Sequence, residues 1–371
     1  MQMRARRPVT RRAAALLVAA VSVSACNPLD PLNADFDALE PAVLYEAKVE
    51  SPAPTSVATV RAMTWNIKYA GARILFFFEC NGERSLMTKE ETVENLENIA
   101  AFIKFARPDI LLLQEIDVLS KRTAYVDNVQ WLLNHTHFNH GAYASHWKID
   151  YVPSDGIGRI DSGNAILSRW PFLEAERLAM PLIDAQDAIT RYFYLRRNIL
   201  RTSIDLPDAD DLSVINVHTA AFAEDDTKRR QINLFKTVLD EVAAIGRQFI
   251  AGGDLNSVPP GTTQLTGYAD NCDDARFDPD DYSGEESWLD ELYSFYAAAI
   301  PAGDYRADNA RYFTFTGDED VGWTRKLDYL FTNERFEPSS GVAHQSMNRG
   351  GYETLPLSDH APLSVDMVLR R

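Results

Sequence analysis

Six polar positions stand at, or just beyond, the ends of apolar runs: Asn66, Glu115, His218, the pair Asp254 and Asn256, Asp328 and His360. The densest stretch is Gly252-Gly253-Asp254-Leu255-Asn256-Ser257, which follows the apolar run Phe249-Ile250-Ala251. Two glycines let the backbone turn tightly, and a period of two puts the Asp254 carboxylate and the Asn256 carboxamide on one face of an extended segment. Held together there, they suit a hard divalent cation and a phosphate oxygen. Read alone, the same turn is equally an Asx-turn with no chemistry. Repetition gives it weight. A buried carboxylate costs several kcal/mol unless it is paired or metal-bound, and this chain places such groups at one strand end after another.

These groups need strands that end together. Val57 to Asn66 alternates and delivers Asn66. Asp109 to Glu115 is a continuous apolar run closed by a carboxylate, the pattern of a strand buried on both faces. Gly163 to Ser168 is a further short strand, and Phe193 to Ile204 with Leu212 to Val217 reads as a hairpin pair that presents His218. Three late strands are expected at Tyr312–Phe315, Lys326–Thr332 and Ala361–Leu369.

Helices alternate with them. Thr88 and Glu91 form a capping box, and Pro108 stops the helix they open. A second helix covers Tyr125 to Asn134. In a third, Asp226 to Ile245, the residues Ile232, Phe235, Val238, Leu239 and Val242 share a face, and Gly246 caps the end. Gly71 to Met87 reads as an inserted loop whose Phe76-Phe77-Phe78 either packs beneath it or forms a lip for lipid or substrate. Asp270 to Glu291 holds ten acidic residues against Arg276, which suggests a solvated loop and then a short helix. Continuous apolar strands need cover on both faces. The expected fold is therefore α/β: a four-layer sandwich of two mixed β-sheets packed face to face with helices outside.

The chain has 371 residues and a formal charge of −17, which repels polyanions at long range and argues against a dedicated nucleic-acid binder; a local basic site stays open. Arg4, Arg6, Arg7, Arg11 and Arg12 precede an apolar run, Ala13 to Val23, too short to span a bilayer. It ends in Val23-Ser24-Ala25-Cys26, which resembles a bacterial lipobox. On that reading residues 1–25 are a lipoprotein signal peptide, Cys26 is acylated, 26–57 is a flexible spacer with a short helix from Asp35 to Leu39, and 58–371 is one catalytic domain. The alternatives are an ordinary signal peptide or a buried apolar helix.

The lipobox places a monomer in the bacterial cell envelope, lipid-anchored on the periplasmic face of the outer membrane. Removing five arginines and no acid takes the charge from −17 to −22. Cys80 and Cys272 then remain, each in a loop after a strand assigned a site residue, either as a disulfide or as two thiols.

Taken in order, W-N-I, L-Q-E, G-N-A-I-L-S-R, N-V-H, G-G-D-L-N, L-D-Y-L-F and S-D-H resemble the endonuclease/exonuclease/phosphatase superfamily over roughly Ala58 to Leu369. These metal-dependent phosphodiesterases and phosphatases include deoxyribonucleases and bacterial sphingomyelinases. The resemblance implies Glu115 as main Mg²⁺ ligand, helped by Asn66, with Asp359 near the metal and Mn²⁺ as a substitute. Asp254 and Asn256 would contact water, nucleophile or phosphate. His360, held by Asp328, is assigned as base and His218 as acid or phosphate clamp, with the reverse left open, as is a second metal at Asp254 and Asp359.

The implied function is hydrolysis of a phosphoester by a membrane-tethered, extracytoplasmic enzyme. The substrate is a small molecule, a lipid headgroup or, less favoured, nucleic acid. Asn216-Val217-His218-Thr219 stands where apurinic endonucleases show a Tyr-Val-Pro-Asn-like segment, and Ser257 departs from the G-D-x-N-Y-R turn of inositol-polyphosphate phosphatases. Arg191, Arg196 and Arg197 are candidate phosphate contacts or solvated surface residues. A secreted-side endonuclease, and a catalytically silent binding lipoprotein, are the alternatives.

Overall fold

Strands that are apolar on both faces have to be covered twice, and the chain does this by stacking two sheets. The structure, a computed structural model, describes residues 36–370 other than 185, 187–192, 222–224, 275 and 347–350. One sheet runs in the order β1 (Leu39–Pro41), β7 (Phe172–Ala179), β8 (Asn198–Ile204), β9 (Leu212–His218), β10 (Gln248–Asp254), β12 (Asp328–Thr332) and β11 (Ala297–Ala298). The other runs β13 (Arg335–Phe336), β15 (Leu363–Val368), β3 (Thr59–Asn66), β4 (Ile110–Asp117), β6 (Gly158–Ser168), β5 (His140–Val152) and β2 (Val43–Glu46), with β14 (Val342–Ala343) beside β15. Both are mixed: β3 with β4 and β9 with β10 are parallel, among otherwise antiparallel neighbours.

The expected sandwich is present. Val60, Ala62, Ile110, Leu112 and Ile166 of one sheet meet Leu200, Val214, Ile250 and Leu330 of the other in a single cluster. Alternate residues point away, because the side-chain period of a strand is two. Met63, Trp65, Leu111 and Leu113 pack on Leu96, Ile99 and Ile103 of α1 (Lys89–Ala106) and Leu132 of α2 (Asn128–His135). Ile215, Val217, Phe249 and Phe331 pack on Ile232, Phe235 and Leu239 of α3 (Thr227–Ala244). Short helices α4 (Asp290–Phe295) and α5 (Ala302–Ala307) complete the set. The capping box of α1 is formed in both directions between Thr88 and Glu91, and Arg107, left-handed at φ 50°, ends the helix just before Pro108. Among the described residues no helix is long and apolar enough to cross a membrane.

Several local expectations are corrected. Asp35 to Leu39 is not a helix where it is described: Leu39 opens β1, paired with Leu178. From Phe36 onward the expected spacer is bound to the domain. β1 and β2 extend one sheet each, and Ser51, Pro52 and Pro54 exchange hydrogen bonds with Asn139, Arg169 and Trp170. Tyr312–Phe315 is not a strand but a 3₁₀ turn, Asn309–Tyr312, after which Phe315 bridges Arg325 and His360.

The acidic loop is not solvated throughout. Arg325 Nη1 donates to Asp270 Oδ1 at 2.8 Å with both side chains buried, Asp280 is its second partner, and Lys228 Nζ meets Glu285 Oε1 at 2.6 Å. Such buried pairs hold because each charge has its counter-charge in reach. Cys80 and Cys272 are joined as a disulfide, Cα to Cα 5.5 Å, tying this loop to the one that carries the phenylalanines. Of those, Phe76 is fully buried, Phe77 half-buried and Phe78 exposed.

Candidate active site

The central strands end on one rim. In β10 Asp254 lies opposite His218 of β9 on one side and Asp328 of β12 on the other. In β3 Asn66 lies opposite Gln114 of β4, one residue before Glu115. The β4–β6 register shifts between Leu113 and Ile116, and Glu115 sits there at φ 51°. This bulge breaks the ladder at Glu115 and re-aims its side chain.

The side chains gather on the Asp254 carboxylate. Asn66 Nδ2 donates to Asp254 Oδ2 at 3.1 Å and to Glu115 Oε1 at 3.3 Å, which links the two sheets. His218 Nε2 is 3.3 Å from Asp254 Oδ2 and 3.9 Å from Glu115 Oε1. His360 Nε2 is 3.6 Å from the same Asp254 oxygen, while its Nδ1 is 2.8 Å from Asp328 Oδ2. Asp328 therefore fixes the ring so that Nε2 faces the site. Asp254, Asp328 and His360 offer atoms all within 4.8 Å of one another.

The remaining candidates are placed as follows. Asn256 closes an Asx-turn, its N–H donating to Asp254 Oδ1 at 3.0 Å, and its carboxamide donates to the Thr219 carbonyl beside His218. It is left-handed at φ 45°, and Lys228 Nζ donates to its carbonyl at 2.8 Å. Asp359 Oδ1 accepts from Ser358 Oγ at 3.1 Å and acts on His360 through its charge. Cys26 and Arg191 lie outside the described residues.

Sequence reasoning missed the floor beneath this group. Gln114 Nε2 donates to Asn216 Oδ1 at 2.6 Å, and Asn216 Nδ2 donates to the carbonyls of Leu113 and Ala165 across the sheets. The signal was present: Gln114 and Asn216 each lie within the strand residues that carry Glu115 and His218. His146 was missed too; its ring stands edge-on to His218 at 5.9 Å, buried, with Nδ1 unpartnered.

Burial and neighbouring charge set the protonation states. Burial, opposed by the charge of His360 and reinforced by Asp328, pushes Asp254 up to about 7. Burial works against a proton on His360, yet Asp328 and Asp254 outweigh it and raise His360 to about 10. Burial, then Arg197, His146 and His360, holds His218 well below the usual imidazole range. Arg197 is buried, with Nη1 lacking a hydrogen-bond partner, and its guanidinium feels the charges of Glu115 and Asp254.

These residues fit a divalent cation. Asp254 is a fully buried carboxylate short of compensating charge, and Glu115, its side chain 30% exposed, opens the cluster to solvent. A hard cation that keeps several waters needs few protein oxygens, and the carboxylates of this cluster supply them. Asn66 presents its Nδ2 to them while its oxygen accepts from the Lys68 N–H at 3.1 Å.

The model of the Endonuclease/Exonuclease/phosphatase family matches residues 63–360, which include every one of these site residues. Among solved structures, the endonuclease/exonuclease/phosphatase from Beutenbergia cavernae is 20% identical, with a TM-score of 0.51 over 85% of this chain and 72% of that one. A functionally unknown conserved protein from Enterococcus faecalis is 15% identical, with a TM-score of 0.50 over 83% and 99%. Humanized D. rerio TDP2 is 11% identical, with a TM-score of 0.49 over 84% and 99%. No curated protein matches the chain in sequence. The two likenesses at TM-scores of 0.51 and 0.50 speak for the sandwich, and the family model shows the family. The chain belongs to the endonuclease/exonuclease/phosphatase family and is a metal-dependent hydrolase of phosphoric ester bonds.

Proposed function

We propose that the chain is a Mg²⁺-dependent phosphodiesterase of the bacterial cell envelope, tethered through acylated Cys26, and that a water molecule is the attacking group. The observation that carries this is the pairing of opposite proton demands around one carboxylate. Asp254, pushed up to about 7, is a base poised near neutral pH, and His360, raised to about 10, is a held cation 3.6 Å away. Glu115, which Asn66 Nδ2 holds in place and which has Asp359 close by, would hold the metal, which would neutralise phosphate charge; Asp254 stays free to act as the base.

The charges favour a different division of labour from the one expected from sequence. Asp254 accepts the proton of the attacking water. His360 meets the phosphate oxygens as an imidazolium and returns a proton to the leaving alkoxide. His218 stays neutral and hydrogen-bonds the same group, and the buried Arg197 guanidinium adds positive charge nearby.

The net charge of −17 sets a long nucleic-acid track against the general field of the molecule, so a compact phosphodiester is the preferred substrate class. The test is turnover with Mg²⁺ or Mn²⁺, and with a chelator, on plasmid DNA, phospholipid, inositol phosphates and a chromogenic diester. Metal-dependent release from a compact diester or lipid supports the proposal. Nicking of DNA alone makes the chain a nuclease, and inactivity on every substrate leaves a binding protein.

A further inference from the structure

The amino-terminal end of the described chain emerges at the catalytic rim. β1 runs antiparallel to β7, with Pro41 opposite Glu176 and Leu39 opposite Leu178, so the chain before Leu39 continues past the end of β7. β7 ends at Ala179 opposite Asn198, the neighbour of Arg197. Phe36 confirms the direction. Its ring lies 4.0 Å from the guanidinium carbon of Arg177, and that guanidinium also bonds the carbonyls of Ser145 and Arg196 beside the site. Cys26 lies ten residues before Phe36, which limits an anchor there to about 35 Å from the rim even in a fully extended chain. A tether of that reach is comparable to the size of the domain itself, and it is attached on the side of the active site.

The same rim exposes apolar side chains among its polar ones. Leu75 and Phe78, in the loop after Asn66, are 42% and 46% exposed; Leu119 and Tyr125, in the loop after Glu115, 44% and 53%; and Tyr151, at the β5–β6 turn, 56%. These loops adjoin. Lys121 Nζ donates to the Gly156 carbonyl, Arg159 Nε donates to the Leu119 carbonyl, and Phe77 packs on the cluster of Ile149, Val152 and Ile157. The disulfide between Cys80 and Cys272 holds the first loop in place. Such residues cost little singly, but grouped on one rim they mark a surface that meets something apolar.

We propose that this rim docks on the lipid surface that carries the chain's own anchor, and that the phosphodiester it hydrolyses is a phospholipid headgroup presented there. The inference rests on the phosphodiesterase reading and on acylation of Cys26. The net charge of −17 gives no attraction to anionic lipid, so contact comes from the apolar side chains and a zwitterionic surface suffices.

The test uses the full chain purified with its anchor and inserted into phosphatidylcholine–phosphatidylethanolamine vesicles. Hydrogen exchange of segments 75–78, 119–125 and 150–152 should slow at least fivefold in vesicles relative to the same chain released by cleavage of the segment before residue 36. The triple variant Leu75→Ser, Phe78→Ser, Tyr151→Ser should lose at least tenfold in hydrolysis of vesicle lipid while turning over a soluble chromogenic diester within twofold of wild type. The proposal is overturned by unchanged exchange in those segments, by an intact mass without acyl chains, or by equal loss on both substrates. If wild type cleaves neither substrate yet the rim is protected, docking stands and the phosphodiesterase reading fails.

Discussion

At the scale of single residues, the site is a set of groups whose proton affinities are pulled apart by their surroundings. Asp328 is the hinge of that separation, because its carboxylate holds His360 Nδ1 at 2.8 Å and is the first charge that raises it. Turnover in our assignment needs His360 protonated and Asp254 ionised. A bound cation lowers Asp254 from the metal-free value of about 7, so kcat/KM in saturating Mg²⁺ rises below pH 7 and falls as pH passes about 10. Asp328→Asn removes a raising charge, and the alkaline limb should move to lower pH while the acidic limb stays or falls. An alkaline limb unmoved in that variant would remove His360 from the assignment.

Asp254 makes the complementary case. Its affinity for a proton is higher folded than unfolded, so its cost is absent below about pH 4 and is fully present above pH 7. Asp254→Asn should therefore stabilise the metal-free protein at pH 8 by roughly 2–4 kcal/mol in urea unfolding. The same change should lower kcat by about 10²- to 10⁴-fold. Destabilisation instead would mean that Asn66 and Asn256 depend on that carboxylate more than burial penalises it.

At the scale of elements, what could be read from sequence depended on whether a segment's own pattern or its partners decide its structure. β3, β4, β10 and α3 are legible because their apolar periods match the faces they bury. β5 was missed. Its His140-Gly141-Ala142-Tyr143-Ala144-Ser145 has no apolar run, yet most of it is buried because β6 and β2 flank it and small residues suit close packing. β1 and β2 were read as spacer, since short edge strands with a proline owe their form to ladder bonds from neighbours.

The site residues were legible for the same reason as the central strands, being the last residues of runs that read clearly. The bulge at Glu115, the Gln114–Asn216 floor and the His146–His218 contact were not, since each depends on the register between strands far apart in sequence. The disulfide was legible only as a pairing of the two leftover cysteines. It closes a separation of 192 residues, and Cys80→Ser with Cys272→Ser should cost about 2–4 kcal/mol in urea unfolding. Less than 1 kcal/mol would show that the Arg325–Asp270 and Lys228–Glu285 pairs hold the acidic loop unaided.

At the scale of the whole molecule, the fold accepts an electrostatic cost at one end that its three large apolar clusters cover. The rim collects Glu115, Asp254, Asp328 and Asp359 from both sheets, in a chain already at −17, and Asn66 and the neutral His218 stand between Asp254 and Glu115. A bound divalent cation relieves that cost in the folded state and has no comparable cluster to bind once the chain unfolds. Stability should then rise with metal by RT ln(1 + [Mg²⁺]/Kd), about 2.7 kcal/mol at a hundredfold excess over Kd. The thermal midpoint should climb with Mg²⁺ and return on adding chelator. Glu115→Gln should flatten the climb with little change in the metal-free midpoint, because Glu115 is the partly exposed member and carries little of the burial cost. Asp254→Asn, which removes the base and not the main ligand, should start higher and still climb. A midpoint indifferent to Mg²⁺ in wild type, or a Glu115→Gln protein that still climbs in parallel with it, would mean that the convergence of the two sheets on Asp254 serves something other than holding a metal.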